Sequence, residues 1–241
     1  MKKLFLALML NAFILSGSSF IKGDTINNEY INQIPESGKE EIKDEVNDEI
    51  IKDEIEGEQE EVEVLPNKPI IFIYLNPSVQ TKNYYYGNLG NEAQHMQDIA
   101  HLMYDMLVNI PFIKVDCNTY YSTLSLKESL IESNSQYRHI HFALHSNAGG
   151  GSGTEIYTKD SVEFATHMYN KFLTLGNFNK RGVKKQTVLY ETNNSKAEHT
   201  ALMEFLFHDR ENEALFIVNN KKTIAETMVD GLIDFIEETY W

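Results

Sequence analysis

Three residues with side chains suited to hydrolytic chemistry stand in or beside apolar segments of the sequence. His145 ends one apolar run, Glu204 lies inside a later one, and Glu92 opens a segment with helical spacing. An imidazole and a carboxylate are suitable ligands for zinc, and a further carboxylate can take a proton from zinc-bound water. These residue types are therefore the parts of a hydrolytic zinc site. The alternative is that each is only a polar cap on its strand or helix, hydrogen-bonded to nearby backbone.

The order of the surrounding segments predicts the elements that position these residues. Apolar runs predict strands over residues 70–75, 112–115, 139–144, 153–157, 188–190 and 201–207. Apolar residues at helical spacing predict helices over residues 91–108, 125–137, 162–175, 211–219 and 223–239. Alternating strands and helices are typical of an α/β domain with a mostly parallel central sheet and helices on both faces. Functional sites in such sheets lie at the carboxyl ends of the strands, which is where His145 is expected.

The first twenty residues have the order of a secretory signal. Two lysines follow Met1, an apolar run extends over residues 4–15, and small residues follow at 16–19. The apolar run is shorter than the roughly 20 residues that a membrane-spanning helix needs. Residues 1–20 are therefore predicted to be a signal peptide, with an uncleaved N-terminal membrane anchor as the alternative. Both interpretations imply that the protein is secreted or held at the cell envelope.

The formal net charge of −15 is concentrated in one segment. Residues 23–66 contain sixteen acidic residues against three lysines, whereas residues 67–241 contain twenty acidic residues against fifteen basic ones. High charge with few aromatic residues is typical of a disordered, self-repelling spacer. Residues 21–66 are therefore predicted to be a disordered acidic stalk, a low-complexity linker in front of the folded part. The alternative is a partner-binding amphipathic helix, because isoleucine and valine recur at about helical spacing within residues 40–64.

The composition narrows the set of partners. The sequence has no basic stripe of the kind that binds phosphate backbones, so we expect no nucleic-acid partner. Cys117 is the only cysteine, which rules out an intrachain disulfide. Contact with a membrane is expected only for the N-terminal segment, and only if that segment stays uncleaved.

Several short motifs stand in the order found in a known family. They are NPSVQ at 76–80, GNE at 90–92, HSNA at 145–148, GTEIY at 153–157, RGVK at 181–184 and MEFLFHD at 203–209. In this order they resemble the amidase-3 family of zinc-dependent N-acetylmuramoyl-L-alanine amidases, and the first two resemble its clostridial-type branch. The resemblance covers nearly all of residues 69–239. It implies that residues 67–241 form an amidase-like catalytic domain.

The resemblance implies roles for four residues. Glu92 and His145 match zinc ligands of the family, and Glu204 matches its catalytic glutamate. Arg181 lies in the matching RGVK motif, where it would bind carboxylates of the substrate peptide, with a surface arginine in a turn as the alternative. The implied cofactor is Zn2+, and the implied partner is peptidoglycan, through its glycan strand and stem peptide. The implied reaction is hydrolysis of the amide between N-acetylmuramic acid and L-alanine by zinc-activated water.

One metal ligand of the family is not matched. The family has a Gly-His pair directly after the first strand, and Asn76-Pro77 stands in that place. Gln80, His95 and His141 are the candidates for the third ligand. His141 lies on a predicted strand, and it could instead be a hydrogen-bonded core histidine. A catalytically inactive module that binds peptidoglycan or regulates another cell-wall hydrolase is therefore the alternative function.

Overall fold

A computed structural model of the protein describes residues 68–241. The predicted signal peptide or anchor, residues 1–20, and the predicted acidic linker, residues 21–66, lie outside the described residues. Among the helices of residues 68–241, none combines the length and the apolar character that crossing a membrane requires.

A sheet of six strands forms the centre of the described residues. The strands are β1 (Ile71–Pro77), β2 (Ile113–Cys117), β3 (Ile140–Asn147), β4 (Thr154–Thr158), β5 (Lys180–Lys185) and β6 (His199–Phe207). Their order across the sheet is β2-β1-β3-β6-β4-β5, and the one antiparallel pairing in this sheet is that of β4 with β6. The mostly parallel sheet predicted from the sequence is therefore confirmed.

Six α-helices connect and cover these strands within residues 68–241. They are α1 (Glu92–Leu107), α2 (Leu126–Asn134), α3 (Val162–Leu173), α4 (Tyr190–Asn194), α5 (Glu211–Asn219) and α6 (Lys221–Tyr240). The buried side of α1 shows why the sequence forms a helix there. Met96, Ile99 and Met103 recur at helical spacing and are fully buried in the core. A stripe of this kind is stable only when it packs against other apolar surface.

Helices cover both faces of the sheet. Neighbouring residues of a strand point to opposite faces, so the contacts of adjacent β1 residues show what lies on each side. Leu75 of β1 belongs to the apolar core on one side, together with residues of α1, α3 and α6. Tyr74 and Asn76 face the other side, where they hydrogen-bond to Glu132 of α2 and Glu191 of α4. The α/β class with helices on both faces of the sheet is thus confirmed.

The prediction of a strand over residues 188–190 is wrong. Val188 is 80% exposed, and helix α4 begins at Tyr190. The strand of this region is β5, whose sequence KRGVKK contains a single apolar side chain. β5 lies at the edge of the sheet beside β4, where charged side chains are exposed to solvent and discourage further pairing. An edge strand of this composition has no apolar run from which the sequence could have predicted it.

Candidate active site

The carboxyl ends of β3 and β6 bring the sequence-predicted residues together. His145 on β3 and Glu204 on β6 are register partners in adjacent parallel strands. Glu155 on β4 is the register partner of Glu204 on the other side. Glu92 begins α1, which follows the loop after β1, and its side chain contacts His145. One imidazole and three carboxylates therefore converge at one end of the central strands.

The pair formed by Glu92 and His145 is the centre of this group. Glu92 Oε1 lies 2.9 Å from His145 Nδ1, and the Glu92 side chain is 1% exposed. Asn83 donates a 2.6 Å hydrogen bond from Nδ2 to Glu92 Oε2, and the backbone N–H of Ser146 donates to Oε1. The side chain of Asn91 caps α1 and so holds Glu92 in the first helical turn, where the helix dipole favours a negative charge.

The carboxylates around His145 favour a positive charge at the centre of the site. Burial alone would lower the pKa of His145, but the hydrogen bond to Glu92 and the nearby carboxylates outweigh it and raise the pKa to about 9. Burial alone would raise the pKa of Glu92, but its contact with His145 and its hydrogen bonds lower that pKa below the ordinary value. A proton on His145 supplies the positive charge at neutral pH, and a metal ion could supply it instead.

The pKa of Glu204 is shifted in the opposite direction. Burial raises it to about 7, and the charges of Glu92 and Glu155 add to this effect, although His145 opposes it. The Oε2 atom of Glu204 is shielded from water and has no hydrogen-bond partner within residues 68–241. A carboxyl group with such a pKa can both accept and donate a proton near neutral pH.

Arg181 reaches the same group of residues from β5. Its Nε atom lies 3.0 Å from Oε1 of the buried Glu155, and its guanidinium carbon lies 5.1 Å from the ring centre of Phe207. Asn147, at the end of β3, donates a 2.6 Å hydrogen bond from Nδ2 to the same carboxylate oxygen. The Arg181 side chain is 37% exposed, so an anionic group from solvent can approach it.

Gln80 is the third-ligand candidate that contacts His145. Its amide nitrogen lies 3.5 Å from Nδ1 of His145, and its amide oxygen accepts a 3.0 Å hydrogen bond from Asn83. The oxygen and nitrogen of a side-chain amide exchange places when the group rotates by half a turn, and their assignment follows the hydrogen bonds. The Gln80 amide therefore lies beside His145, on the loop that follows β1, and it is linked to Glu92 through Asn83.

The other two candidates are engaged with different partners. Nε2 of His95 meets the backbone carbonyl oxygen of Leu89 at 2.6 Å. His141 is fully buried between Ser133 and Glu191, with hydrogen bonds of 2.8 Å and 2.7 Å. Both nitrogens of His141 therefore satisfy buried polar groups, as in a structural histidine. His95 is held through Nε2 alone, because its buried Nδ1 atom has no hydrogen-bond partner within residues 68–241.

Glu191 is a buried carboxylate beside the site that sequence reasoning missed. Its side chain is 2% exposed, and its Oε2 atom lies 3.9 Å from Nε2 of His145. The residue belongs to α4, directly after the stretch that is wrongly predicted as a strand. A single glutamate in the polar stretch YETNNSK carries no signal of function by itself.

The donors that contact each other fit a zinc ion. Ligand atoms lie about 2.0–2.2 Å from tetrahedral zinc, which places neighbouring ligand atoms about 3.3 Å apart. His145 Nδ1 is 2.9 Å from Glu92 Oε1 and 3.5 Å from the amide nitrogen of Gln80. The three side chains could share one ion if the Gln80 amide rotated by half a turn, so that its oxygen faced His145. In the part of the chain that the structure describes, no cluster of three or more His, Cys, Asp or Glu residues is arranged to hold a metal. The further side chain within 3.5 Å of His145 Nδ1 is the neutral amide of Gln80.

The sequence matches one family. Residues 73–234 match the amidase-3 family, which is described as N-acetylmuramoyl-L-alanine amidase. This match covers more than half of the chain. A search of curated proteins gave no match.

Solved structures of several amidases share this fold. The N-acetylmuramoyl-L-alanine amidase from Clostridium difficile 630 has a TM-score of 0.63 at 18% identity, over 71% of this chain and 100% of that chain. The catalytic domain of CwlV from Bacillus (Paenibacillus) polymyxa var. colistinus has a TM-score of 0.61 at 16% identity, over 69% and 98% of the two chains. The catalytic domain of the CD27L endolysin, which targets Clostridia difficile, has a TM-score of 0.56 at 21% identity, over 68% and 97%. At these identities the likeness shows the fold.

Proposed function

The chain belongs to the amidase-3 family of N-acetylmuramoyl-L-alanine amidases, and we propose that it hydrolyses peptidoglycan at the amide between N-acetylmuramic acid and L-alanine. The observation that carries this proposal is the contact between Glu92 and His145, with Glu204 paired to His145 across adjacent strands. A carboxylate, an imidazole and a second carboxylate with a raised pKa are the groups that a zinc hydrolase uses.

The residues that would hold the zinc ion are Glu92, His145 and Gln80. Their support is the short distances from His145 Nδ1 to the other two side chains. A bound zinc ion lowers the pKa of its water and polarises the carbonyl oxygen of the substrate. A neutral amide oxygen is a harder ligand than zinc prefers, so Gln80 would bind more weakly than a histidine. The negative carboxylates around the site favour any cation there and would offset part of this weakness.

Glu204 is the proton carrier of the proposed reaction. Its carboxylate accepts a proton from the attacking water and passes it to the amine nitrogen of the leaving L-alanine. A pKa of about 7 suits both steps, because the group then gains and loses the proton at similar cost near neutral pH. The unpartnered Oε2 atom leaves one carboxylate oxygen ready for this exchange.

Arg181 is the proposed contact for a carboxylate of the stem peptide. Its Nε atom is engaged by Glu155, which holds the guanidinium plane while the terminal nitrogens carry the remaining donors. A guanidinium fork binds a carboxylate through two parallel hydrogen bonds. Asn147 shares the Glu155 oxygen and so links this contact to the end of β3.

The proposed layout of the chain follows from its composition. Residues 67–241 form the catalytic domain, residues 21–66 the acidic linker, and residues 1–20 a signal peptide or N-terminal anchor. A secretory segment agrees with a substrate that lies outside the cytoplasmic membrane. The proposed location is the cell envelope or the medium around it.

A non-catalytic module that binds peptidoglycan or regulates another hydrolase is the second candidate. The sequence feature that favours it is Asn76-Pro77, which by the resemblance stands where the family has its Gly-His pair. Asn76 is 3% exposed and hydrogen-bonds to Glu191 and Asn118, so its side chain is already occupied. The two candidates differ in metal content and in whether a product forms.

Product analysis of digested peptidoglycan separates the two candidates. The purified chain is incubated with cell-wall peptidoglycan, and the soluble fragments are identified by mass spectrometry. We expect peptides with a free L-alanine amino terminus, glycan strands without stem peptides, and loss of both products on addition of a chelator. Zinc added back should restore the products. A chain that sediments with peptidoglycan but releases neither product at any zinc concentration would instead be the binding module.

A further inference from the structure

Glu191 lies on the opposite side of the His145 ring from Glu92. Glu92 Oε1 is 2.9 Å from Nδ1, and Glu191 Oε2 is 3.9 Å from Nε2. The second distance is about 1 Å longer than an ordinary hydrogen bond. Glu191 Oε2 is buried and has no hydrogen-bond partner within residues 68–241, although the other oxygen of the same carboxylate has two. The imidazole therefore stands between two buried carboxylates, and the second has one oxygen to spare.

We propose that Glu191 is a positioning residue for His145 in the metal-bound protein. A histidine binds a metal through one ring nitrogen, and the hydrogen bond of the other nitrogen sets which one is free to bind. Carboxylates commonly accept this second hydrogen bond, which fixes the ring and makes it a better ligand. In the metal-bound protein, Glu191 Oε2 closes the 3.9 Å separation seen here and accepts the Nε2–H of His145. Nδ1 then keeps its lone pair for the metal beside Glu92. This inference rests on the proposed zinc-dependent function.

Glu191 is itself held in place by a buried network. Its Oε1 atom accepts hydrogen bonds from Nδ2 of Asn76 at 2.5 Å and from Nε2 of His141 at 2.7 Å. Asn118 Nδ2 donates to Asn76 Oδ1 at 3.1 Å. These partners hold the Oε1 atom of Glu191 in place, and the Oε2 atom faces Nε2 of His145. Such a fixed carboxylate can orient a neighbouring ring at little further entropic cost.

The same network connects Asn76 to the site. Asn76 lies at the carboxyl end of β1, and its register partner on β3 is Ala143, two residues before His145. From there its side chain reaches Glu191 on α4. Asn76 thus supports the carboxylate that lies behind His145.

A single amide substitution tests the role of Glu191. In Glu191→Gln the amide oxygen can keep the hydrogen bonds from Asn76 and His141, while an NH2 group replaces the oxygen that faces His145. We expect the zinc affinity of the purified chain, measured by competition with a chromophoric chelator, to fall about 10–100-fold. Ser133→Ala is the matched control, because it removes the hydrogen bond on the far side of His141 and leaves Glu191 in place. Its zinc affinity should equal that of the wild type.

A measurement on the wild-type chain covers the case in which Glu191→Gln does not fold. In zinc-loaded protein with 15N-labelled histidine, the chemical shifts of the His145 ring should show zinc on Nδ1 and a proton on Nε2. Zinc on Nε2, or equal zinc affinity of wild type and folded Glu191→Gln, would overturn the role of Glu191 and leave the proposed hydrolase intact. Absence of zinc binding by the wild type would overturn the zinc-dependent function and this inference with it.

Discussion

Two glutamates at the same end of the sheet have opposite pKa shifts, although Glu92 is buried and the Oε2 atom of Glu204 is also shielded from water. Contact with His145 and Asn83 outweighs the burial of Glu92 and lowers its pKa. Burial raises the pKa of Glu204 to about 7, and the charge of Glu92 adds to it. Environments that separate two pKa values in this way divide the roles of a carboxylate pair. They support Glu92 as a permanently charged ligand and Glu204 as a proton carrier.

The proton-carrying role proposed for Glu204 predicts the behaviour of Glu204→Gln. The amide keeps the shape of the side chain but cannot accept the proton of the attacking water. Loss of a general base costs about 10²–10⁴-fold in rate, and we expect a loss of this size in the release of peptides from peptidoglycan. Zinc content and melting temperature should stay as in the wild type. Peptide release at the wild-type rate would make Glu204 a structural residue.

The proposed metal-binding role of Glu92, His145 and Gln80 predicts an ordered series of zinc contents. Wild-type chain should keep one zinc ion after exhaustive dialysis, as measured by elemental analysis. His145→Ala and Glu92→Ala should keep none, because each loses a ligand of the central pair. Gln80→Ala should bind more weakly, and His95→Ala should match the wild type, since His95 is engaged with Leu89. Zinc loss in His95→Ala together with full retention in Gln80→Ala would reassign the third ligand.

The start of helix α1 connects an ordinary element to the site. Asn91 accepts a 3.0 Å hydrogen bond from the backbone N–H of Gln94, and Glu92 is the first residue of the helix. The position of the Glu92 carboxylate therefore depends on whether the first helical turn is formed. Helix α2 offers a comparable start away from the site, where Ser125 caps the helix and forms a capping box with Glu128.

A pair of cap substitutions separates helix stability from site geometry. Asn91→Ala and Ser125→Ala should each lower the free energy of unfolding by about 0.5–2 kcal/mol, measured in denaturant without zinc. Zinc affinity should fall in Asn91→Ala alone, because fraying of the first turn of α1 displaces Glu92. Equal zinc affinity of the two variants would show that Glu92 is held by its contacts in the site and not by the helix.

Apolar patterns predicted most helices and strands of the described residues. They failed for side chains exposed to solvent and for the strand at the edge of the sheet. The bounds of helix α1 and strand β3 agree closely with those predicted from their apolar residues. In α2 the pattern predicts Leu126, Leu130 and Ile131 to face inward, but only Leu130 is buried, and Ile131 is 61% exposed. Strand β5 is recognised only through its pairing with β4, because its own residues are mostly charged. Pairing across a sheet is a tertiary contact that local composition does not contain.

The charge of the whole chain is divided between two parts with different expected roles. Residues 23–66 carry sixteen acidic residues against three lysines, which is 3 − 16 = −13 of the total of −15. Residues 67–241 carry fifteen basic residues against twenty acidic ones, which is 15 − 20 = −5. The three lysines of residues 1–22 make up the difference. Most of the net negative charge of the protein therefore lies in the linker and not in the proposed catalytic domain.

Limited proteolysis tests the proposed division of the chain. We expect a protease of broad specificity to cleave within residues 23–66, because few apolar groups there can offset the entropy of ordering. A stable fragment beginning near Asn67 should remain, as shown by mass spectrometry and N-terminal sequencing. Uniform protection of residues 40–64 would contradict the disordered linker and favour the amphipathic helix.

The sequence alone determined the class of the fold and three residues of the candidate site. Glu92, His145 and Glu204 could be selected because their segments have strong local patterns, and the order of motifs matched one family. Local patterns are sufficient there, since apolar periodicity reports which side of an element is buried.

Only the tertiary structure revealed the neighbours of His145 that lie far from it in the chain. It showed which of Gln80, His95 and His141 contacts the imidazole, and it placed Glu191 behind His145. These contacts join residues far apart in the chain, through the parallel pairing of β1, β3 and β6 and the packing of α4 on the sheet. Which side chains become neighbours across paired strands depends on the order of the strands and the path of the loops. The local sequence around each segment does not determine either of these.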